Sequence, residues 1–299
     1  MIKVTDVTKK FGDFKVLDNM SMNVKKGSIY GLIGPNGAGK TTIINHITGV
    51  LKPDSGEITI NDKDIFDNAP AKYKVISISD EWFFFGTYRI KDMAKFYSQI
   101  YPDFSYERYN AISEVFKIDE KTQIRNLSKG MKKQVAFWLS LSAMPDVLIL
   151  DEPLDGLDPV MRKQTLNLVI QDVSDREMTV LVSSHNLREL EDICDHVGII
   201  HKGKMIIEKP LDDIKGNIRK YQLVFRDDKT EDLKNNPSVM NISQTGSVYT
   251  VIIKGEEEET DRFMMTLSPV LCEKISLTLE EVFIYELGGL GYDFKNIII

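Results

Sequence analysis

The stretch that decides the fold is Gly34-Pro35-Asn36-Gly37-Ala38-Gly39-Lys40-Thr41, which matches the pattern G-x-x-x-x-G-K-[ST] without a mismatch. A short apolar run at residues 28–33 precedes it and predicts a buried strand. A helix is predicted over residues 41–50, because its isoleucines share one face and Gly49 is suited to end it. A strand, a glycine-rich loop and a helix in this order indicate a loop that binds phosphate groups.

The chemistry of this loop follows from its residue types. The glycines let the backbone curl so that several N–H groups converge on phosphate oxygens, and the start of the helix adds a partial positive charge. We expect Lys40 to reach the β- and γ-phosphates of a bound nucleotide and the Thr41 hydroxyl to ligate Mg²⁺. The rest of the loop, together with Thr42, is predicted to contact the same nucleotide.

Two carboxylates follow a second apolar run, at residues 147–150. A buried strand that ends in Asp151 and Glu152 delivers both acids beside the phosphate loop. Adjacent strand residues point to opposite sides, so the two acids should have different roles. We expect Asp151 to hold Mg²⁺ and Glu152 to polarise an attacking water. His185 follows the next predicted strand, where it is placed to sense the γ-phosphate.

Length and composition bound the class of protein. The 299 residues suggest about two domains at ~150 residues each, and 42% hydrophobic with 28% charged residues excludes a disordered chain. The 45 acidic residues exceed the 38 basic ones, which argues against a dedicated nucleic-acid partner. Cys194 and Cys272 are too few for a disulfide framework. No run approaches the ~18 apolar residues that cross a bilayer, so we expect no membrane span.

The predicted secondary structure changes along the chain. Strand and helix patterns alternate around the phosphate loop and again after residue 146, as expected for a parallel sheet. Helical patterns at residues 90–101, 106–116 and 129–144 predict a helical insertion, and residues 197–207 predict an antiparallel hairpin. We therefore predict an α/β domain at 1–210, with a helical subdomain at about 82–146, and a small accessory α+β domain at 215–299.

With these motifs in place, the sequence resembles the nucleotide-binding subunit of an ABC transporter, a P-loop NTPase. Leu127-Ser128-Lys129-Gly130-Met131 resembles the signature Leu-Ser-Gly-Gly-Gln, and residues 154–158 resemble the D-loop. His185 occupies the switch-histidine position, and Phe11 lies where an aromatic ring usually stacks on adenine. The resemblance covers roughly residues 1–208 and implies the ABC ATPase core, with its parallel sheet, antiparallel β subdomain and helical insertion.

The resemblance also implies a mechanism. Two such subunits, as a homodimer or a heterodimer, sandwich ATP so that Ser128 and Gly130 of one cap the γ-phosphate held by the other. The ATPase then drives membrane-spanning permease subunits from the cytoplasmic face of the membrane. The pattern is similar to ABC-2 type exporters, which suggests an amphipathic or antimicrobial peptide as cargo, with a lipid-linked or sodium-export role as the alternative. An ATP-binding regulatory subunit with little turnover, or a non-transport ABC ATPase, are the other interpretations.

The sequence departs from the family pattern at two places, the signature and the Q-loop. The signature carries Lys129 where glycine is usual and Met131 where glutamine is usual, whereas Ser128 and Gly130 remain. The Q-loop glutamine is replaced by Asp80, with Glu81 as a competing assignment, and Asp80 could still ligate Mg²⁺ or its water.

Four aromatic residues, Trp82-Phe83-Phe84-Phe85, follow this loop directly. They predict either a packed core segment or an exposed apolar surface that receives a short helix of a membrane subunit.

Overall fold

A computed structural model of the chain describes residues 1–79, 84–153, 156–184, 190–211, 213 and 218–288. The chain divides into two compact units, Met1–Glu208 and Lys209–Ile299. The strands as far as Pro210 are β1 (Ile2–Phe11), β2 (Phe14–Val24), β3 (Ile29–Ile33), β4 (Ser55–Ile60), β5 (Lys63–Asp64), β6 (Val75–Ile78), β7 (Val147–Asp151), β8 (Thr179–Ser184), β9 (His196–His201) and β10 (Lys204–Pro210). The helices of this part are α1 (Lys40–Ile47), α2 (Ala69–Lys72), α3 (Ile90–Ile100), α4 (Tyr106–Phe116), α5 (Lys129–Ser142) and α6 (Pro159–Arg176).

A six-stranded sheet in the order β10-β9-β3-β8-β7-β6 forms the centre of the N-terminal unit. The pairs from β9 to β6 are parallel. Every residue of β3, β7 and β8 is buried, because a parallel sheet is covered on both faces. The two-residue turn Lys202–Gly203, with positive φ at both positions, joins β9 to β10 as a hairpin.

A second, antiparallel sheet in the order β2-β1-β4-β5 packs onto the same core. Its inward side chains, such as Leu17 and Ile58, share one apolar cluster with Ile43 and Ile47 of α1 and with Ile149 of β7. The helix that follows the phosphate loop is therefore fixed by packing on both sheets. This arrangement confirms the predicted fold class.

The helical insertion consists of α3, α4 and α5, which lie between β6 and β7 in the chain. Trp138 of α5 stacks on Tyr109 of α4 at 4.7 Å between ring centroids, and its indole N–H donates to the Tyr109 carbonyl at 2.7 Å. Arg108 of α4 pairs with the buried Asp172 of α6 at 2.6 Å, which ties the insertion to the sheet-bearing part of the unit.

The C-terminal unit contains β11 (Ile218–Val224), α7 (Thr230–Lys234), β12 (Val239–Thr245), β13 (Val248–Lys254), α8 (Glu257–Thr266), β14 (Leu271–Ile275) and α9 (Leu279–Gly288). Its antiparallel sheet has the order β12-β13-β11-β14. A β-α-β-β-α-β chain with this order is a ferredoxin-like fold, followed by one further helix. Its own apolar core includes Tyr221, Leu233, Val251 and Met264.

Candidate functional site

The phosphate loop leaves the buried strand β3 and enters α1, as its sequence predicts. Gly39 has a φ of 109°, a conformation that a side chain would strain, and it directly precedes the first residue of α1. A Cβ on Gly34 would lie 2.4 Å from the Ile200 carbonyl oxygen, so only glycine fits there. No side chain of this described segment caps α1, so its first-turn N–H groups stay directed at the loop.

The β9–β10 turn is hydrogen-bonded to the phosphate loop through its backbone. The Gly203 N–H donates to the Ala38 carbonyl at 3.0 Å, and the Gly203 carbonyl accepts from the Asp18 N–H at 3.0 Å. The turn thus joins the phosphate loop to β2. Backbone hydrogen bonds of this kind pre-form a binding loop before its ligand arrives.

Lys40 and Thr41 connect the loop to the two predicted carboxylates. The Lys40 ammonium is nearly buried, donates to the Gly34 carbonyl at 2.6 Å and lies 3.5 Å from the Glu152 carboxylate. The Thr41 hydroxyl donates to Asp151 Oδ2 at 2.9 Å. Two pairs of neighbouring residues that are far apart in the sequence therefore meet at one place.

Asp151 and Glu152 lie at the carboxyl end of β7 and have different surroundings. Asp151 is buried, and its second carboxylate oxygen accepts a hydrogen bond from the Ser183 hydroxyl on β8. Glu152 has a φ of 50°, the left-handed region, and its N–H donates to the Ser183 carbonyl at 3.2 Å. The turn of the backbone at Glu152 separates the two acids, and Ser183 is a supporting residue that the sequence did not single out.

A cavity of about 330 Å³ opens above the loop. Its lining consists of Phe14, Val16, Pro35, Asn36, Gly37, Gly39, Lys40, Thr41, Thr42 and Glu152. Phe11, the residue expected to stack on adenine, is half exposed and does not belong to this lining. Phe14 does, and it is paired directly with Phe11 across the β1–β2 hairpin. The lining does not decide which ring would stack on adenine, so the role of Phe11 stays a prediction.

The signature-like segment begins α5. The Ser128 hydroxyl caps this helix by accepting from the Met131 N–H at 3.2 Å. Gly130 approaches another loop closely, since a Cβ there would lie 2.9 Å from the Gly156 carbonyl oxygen. Neither Ser128 nor Gly130 lines the cavity above the phosphate loop of the same chain.

Several expectations concern residues outside the described part of the chain. The first half of the aromatic run, Trp82 and Phe83, lies there. The Mg²⁺ ligand predicted at Asp80, with its alternative at Glu81, is a second case, and the γ-phosphate sensor predicted at His185 is another. The first two residues of the predicted D-loop, Leu154 and Asp155, lie there as well. These assignments stay predictions.

Within the described ranges, no helix is long and apolar enough to cross a membrane. The same ranges contain no group of three or more histidine, cysteine or acidic side chains that could hold a metal ion by themselves.

The fold and the site together define a nucleotide-binding P-loop ATPase. A sequence profile of the ABC transporter family matches residues 17–155. The chain is 32% identical over 97% of its length to the ABC transporter ATP-binding protein YtrB of Bacillus subtilis, of which it covers 99%. It is 39% identical over 74% of its length to the bacitracin transport ATP-binding protein BcrA of Bacillus licheniformis, of which it covers 73%. The chain therefore belongs to the ATP-binding subunits of ABC transporters, as the motifs predicted.

Solved structures agree with this assignment. The structure of an ATP-binding subunit of an ABC transporter superimposes with a TM-score of 0.68 at 27% identity, covering 72% of this chain and 92% of that one.

Proposed function

We propose that this chain is the ATP-hydrolysing motor subunit of an ABC exporter, acting on the cytoplasmic face of membrane-spanning permease subunits. The observation that carries the proposal is that Lys40, Thr41 and Glu152 line one cavity, where Asp151 accepts a hydrogen bond from Thr41. A glycine loop alone would bind phosphate, whereas this arrangement adds a cation, a metal-binding pair and a base.

The donor set fits Mg²⁺. Thr41 Oγ1 and Asp151 Oδ2 are 2.9 Å apart, and both are oxygen ligands of the kind that Mg²⁺ prefers. Two protein ligands suffice, since Mg²⁺ usually completes its shell with water and substrate phosphate. Bound there, Mg²⁺ would neutralise charge on the phosphate oxygens. Asp80 is the further ligand that we propose from the sequence.

Hydrolysis needs a base beside the γ-phosphate. Lys40 would contact the β- and γ-phosphates, and Glu152 lies 3.5 Å from the Lys40 ammonium, on the same wall of the cavity. A water between Glu152 and the γ-phosphorus could lose its proton to the carboxylate as its oxygen attacks. His185 is proposed to contact the γ-phosphate from the end of the strand that contains Ser183.

The second half of the site comes from a second subunit in this proposal, either another copy or a related ATP-binding chain. Ser128 is exposed at the start of α5, where a hydroxyl and N–H groups favour an anion. Ser128 and Gly130 do not line the cavity of their own chain, which supports a role toward nucleotide held by a partner. ATP would then stabilise the closed pair by binding both faces.

The cargo is proposed to be an amphipathic or antimicrobial peptide. The support is the relative BcrA, whose name assigns it to bacitracin transport. The contacts that select the cargo lie in permease subunits, not in this chain.

The test of the proposed function is ATP turnover by purified protein and by Glu152→Gln. We expect Glu152→Gln to retain ATP binding and to lose turnover by at least ~100-fold, as for removal of a general base. Glu177→Gln is the matched control, because Glu177 pairs with Lys26 on the surface, outside the cavity. Equal rates in Glu152→Gln and the unaltered protein would contradict the assignment, and so would an unaltered protein without turnover.

Permease docking is proposed at the aromatic run of residues 82–85, of which the structure describes Phe84, which is partly buried, and Phe85. Phe85 and Tyr88 are 37% and 41% exposed with ring centroids 5.0 Å apart, and Phe85 also contacts Phe96 at 5.3 Å. A cluster of large exposed apolar rings marks an interaction surface.

We expect Phe84→Asp to abolish co-purification with co-expressed permease subunits while ATP binding persists, because a carboxylate would have to be buried at the interface. Val50→Asp, at an exposed apolar residue elsewhere, is the control. Unchanged co-purification of Phe84→Asp would show that the surface is not the docking site.

A further inference from the structure

Lys133, on the second turn of α5, is completely buried. Lysine is among the residues least often found in this state unless its ammonium group is paired. The Lys133 ammonium donates a hydrogen bond to the Glu152 carbonyl oxygen at 3.2 Å. The buried ammonium group of Lys133, on the helix that the signature-like segment begins, thus contacts the backbone of Glu152, the proposed general base.

The backbone conformation of Glu152 requires support. Its φ of 50° is unfavourable for a residue with a side chain, and such conformations persist where the surroundings hold them. The Glu152 N–H is held by the Ser183 carbonyl, and the Glu152 carbonyl is held by Lys133. Between these two anchors, the side chain extends to within 3.5 Å of Lys40.

Helix α5 has a second contact with the segment after β7, at Gly156, four residues beyond Glu152. Gly130 lies so close to the Gly156 carbonyl oxygen that a Cβ would approach it to 2.9 Å. Helix α5 therefore contacts the segment after β7 at Glu152 through Lys133 and at Gly156 through Gly130. These two contacts connect the start of α5, which carries Ser128, to Glu152.

We propose that Lys133 is a positioning residue for ATP hydrolysis. It holds Glu152 in the conformation that directs the carboxylate into the cavity, and it links this conformation to the helix that would cap a partner's nucleotide. This inference rests on the proposed function, in which Glu152 is the base and Ser128 acts on the second subunit.

The experiment compares steady-state ATP hydrolysis by the full-length protein and four variants. Lys133→Met removes the donor and leaves an unbranched chain one bond shorter, Lys133→Gln keeps a donor on a chain of that same shorter length, and Lys133→Arg keeps charge and donors. Lys132→Met is the control, because Lys132 is the neighbouring, partly exposed lysine of α5. We expect Lys133→Met and Lys133→Gln to lower kcat ~10- to 100-fold with KM for ATP nearly unchanged, since a misplaced base costs turnover rather than binding. Lys133→Arg should recover part of the loss.

A second measurement separates positioning from general stability. In a Glu152→Gln background, single-turnover hydrolysis should not fall further when Lys133 is replaced, because the group it positions is already gone. A folded Lys133→Met or Lys133→Gln protein with full kcat would overturn the inference, as would additive losses in the double variant. Should Lys133→Met fail to fold, Lys133→Gln decides alone. Full turnover in Glu152→Gln would instead overturn the proposed function itself.

Discussion

At the scale of single residues, His46 is a buried histidine that contacts the backbone of the helix following the phosphate loop. Its ring lies in α1, is buried, and its Nδ1 is 2.6 Å from the Thr42 carbonyl oxygen. A carbonyl only accepts, so Nδ1 carries the proton in the neutral ring. Within the described residues, Nε2 has no hydrogen-bond partner. Burial lowers the pKa of His46, with a smaller contribution from Lys9, against the hydrogen bond to Thr42 and the charge of Asp54.

Because the folded protein disfavours protonated His46, its stability should depend on pH. The unfolded chain takes up the proton near pH 6.5, so the free energy of unfolding should fall as pH drops below about 6.5, by up to about 1.4 kcal/mol per pH unit for one proton. His46→Asn keeps an N–H donor without titrating, and its profile should be shallower; His201, whose pKa burial also lowers, leaves a residual slope.

Urea unfolding followed by tryptophan fluorescence at pH 5.5 and 7.5 measures this difference. Both tryptophans, Trp82 and Trp138, belong to the N-terminal unit, so the signal reports the unit that contains His46. Identical pH dependence in His46→Asn and the unaltered protein would show that His46 does not couple protonation to folding.

The residues of the site differ in how far the sequence could predict them. Lys40, Thr41, Asp151 and Glu152 follow from motif spacing, because a phosphate loop and the end of a parallel strand must share one sheet edge. Phe14 and Ser183 could not be chosen in the same way. Their positions depend on hairpin register and on which strand lies beside β7, and neither has a local signal.

The burial of Lys133 could not be predicted from the sequence either. In the sequence it is one of several lysines at the start of an amphipathic helix, where a solvated side chain is the ordinary expectation. Only packing of α5 against the segment after β7 reveals that it is buried against Glu152. Tertiary contacts, rather than pattern, define a positioning residue.

At the scale of elements, the long periodic segments were predicted best. The pattern placed a helix at residues 106–116, where α4 is found, and one starting at Lys129, where α5 begins. The helix after the phosphate loop is shorter than predicted, because it ends at Ile47 and Gly49 takes a φ of 68°.

The strands that the sequence missed are short or lie at an edge. β6 has four residues, too few for a clear alternation, and becomes part of the sheet only by pairing with β7. β12 and β14 form the two edges of the C-terminal sheet, and most of their side chains are at least partly exposed. Edge strands bury little apolar surface, so their periodic signal is weak.

An ion cluster connects the helical insertion to the rest of its unit. Asp172 of α6 is buried and accepts from Arg108 of α4 and from Arg176 one turn further along α6, at 3.1 Å. Arg176 also donates to the Pro145 carbonyl at 2.7 Å, just before β7. The cluster fixes α4 relative to β7, which ends at Asp151 just before Glu152, so the insertion and the candidate site belong to one structural unit.

At the scale of the whole molecule, the proposed function requires two chains to complete one nucleotide site. The phosphate loop, Asp151 and Glu152 form one face, and Ser128 with Gly130 belongs to another face of the same unit. Asn36, within the phosphate loop, and Lys129, next to Ser128, are both exposed and can carry engineered thiols. Cys194 is buried, and Cys272 can be replaced by serine.

The most direct measurement is therefore disulfide cross-linking of an Asn36→Cys, Lys129→Cys, Cys272→Ser protein in the Glu152→Gln background. The account predicts a covalent dimer that forms with ATP and Mg²⁺ and does not form with ADP, because only the triphosphate bridges the loop of one copy and Ser128 of the other. ATP binding without any cross-link, or a cross-link that forms equally without nucleotide, would contradict a nucleotide site shared by two copies of this chain.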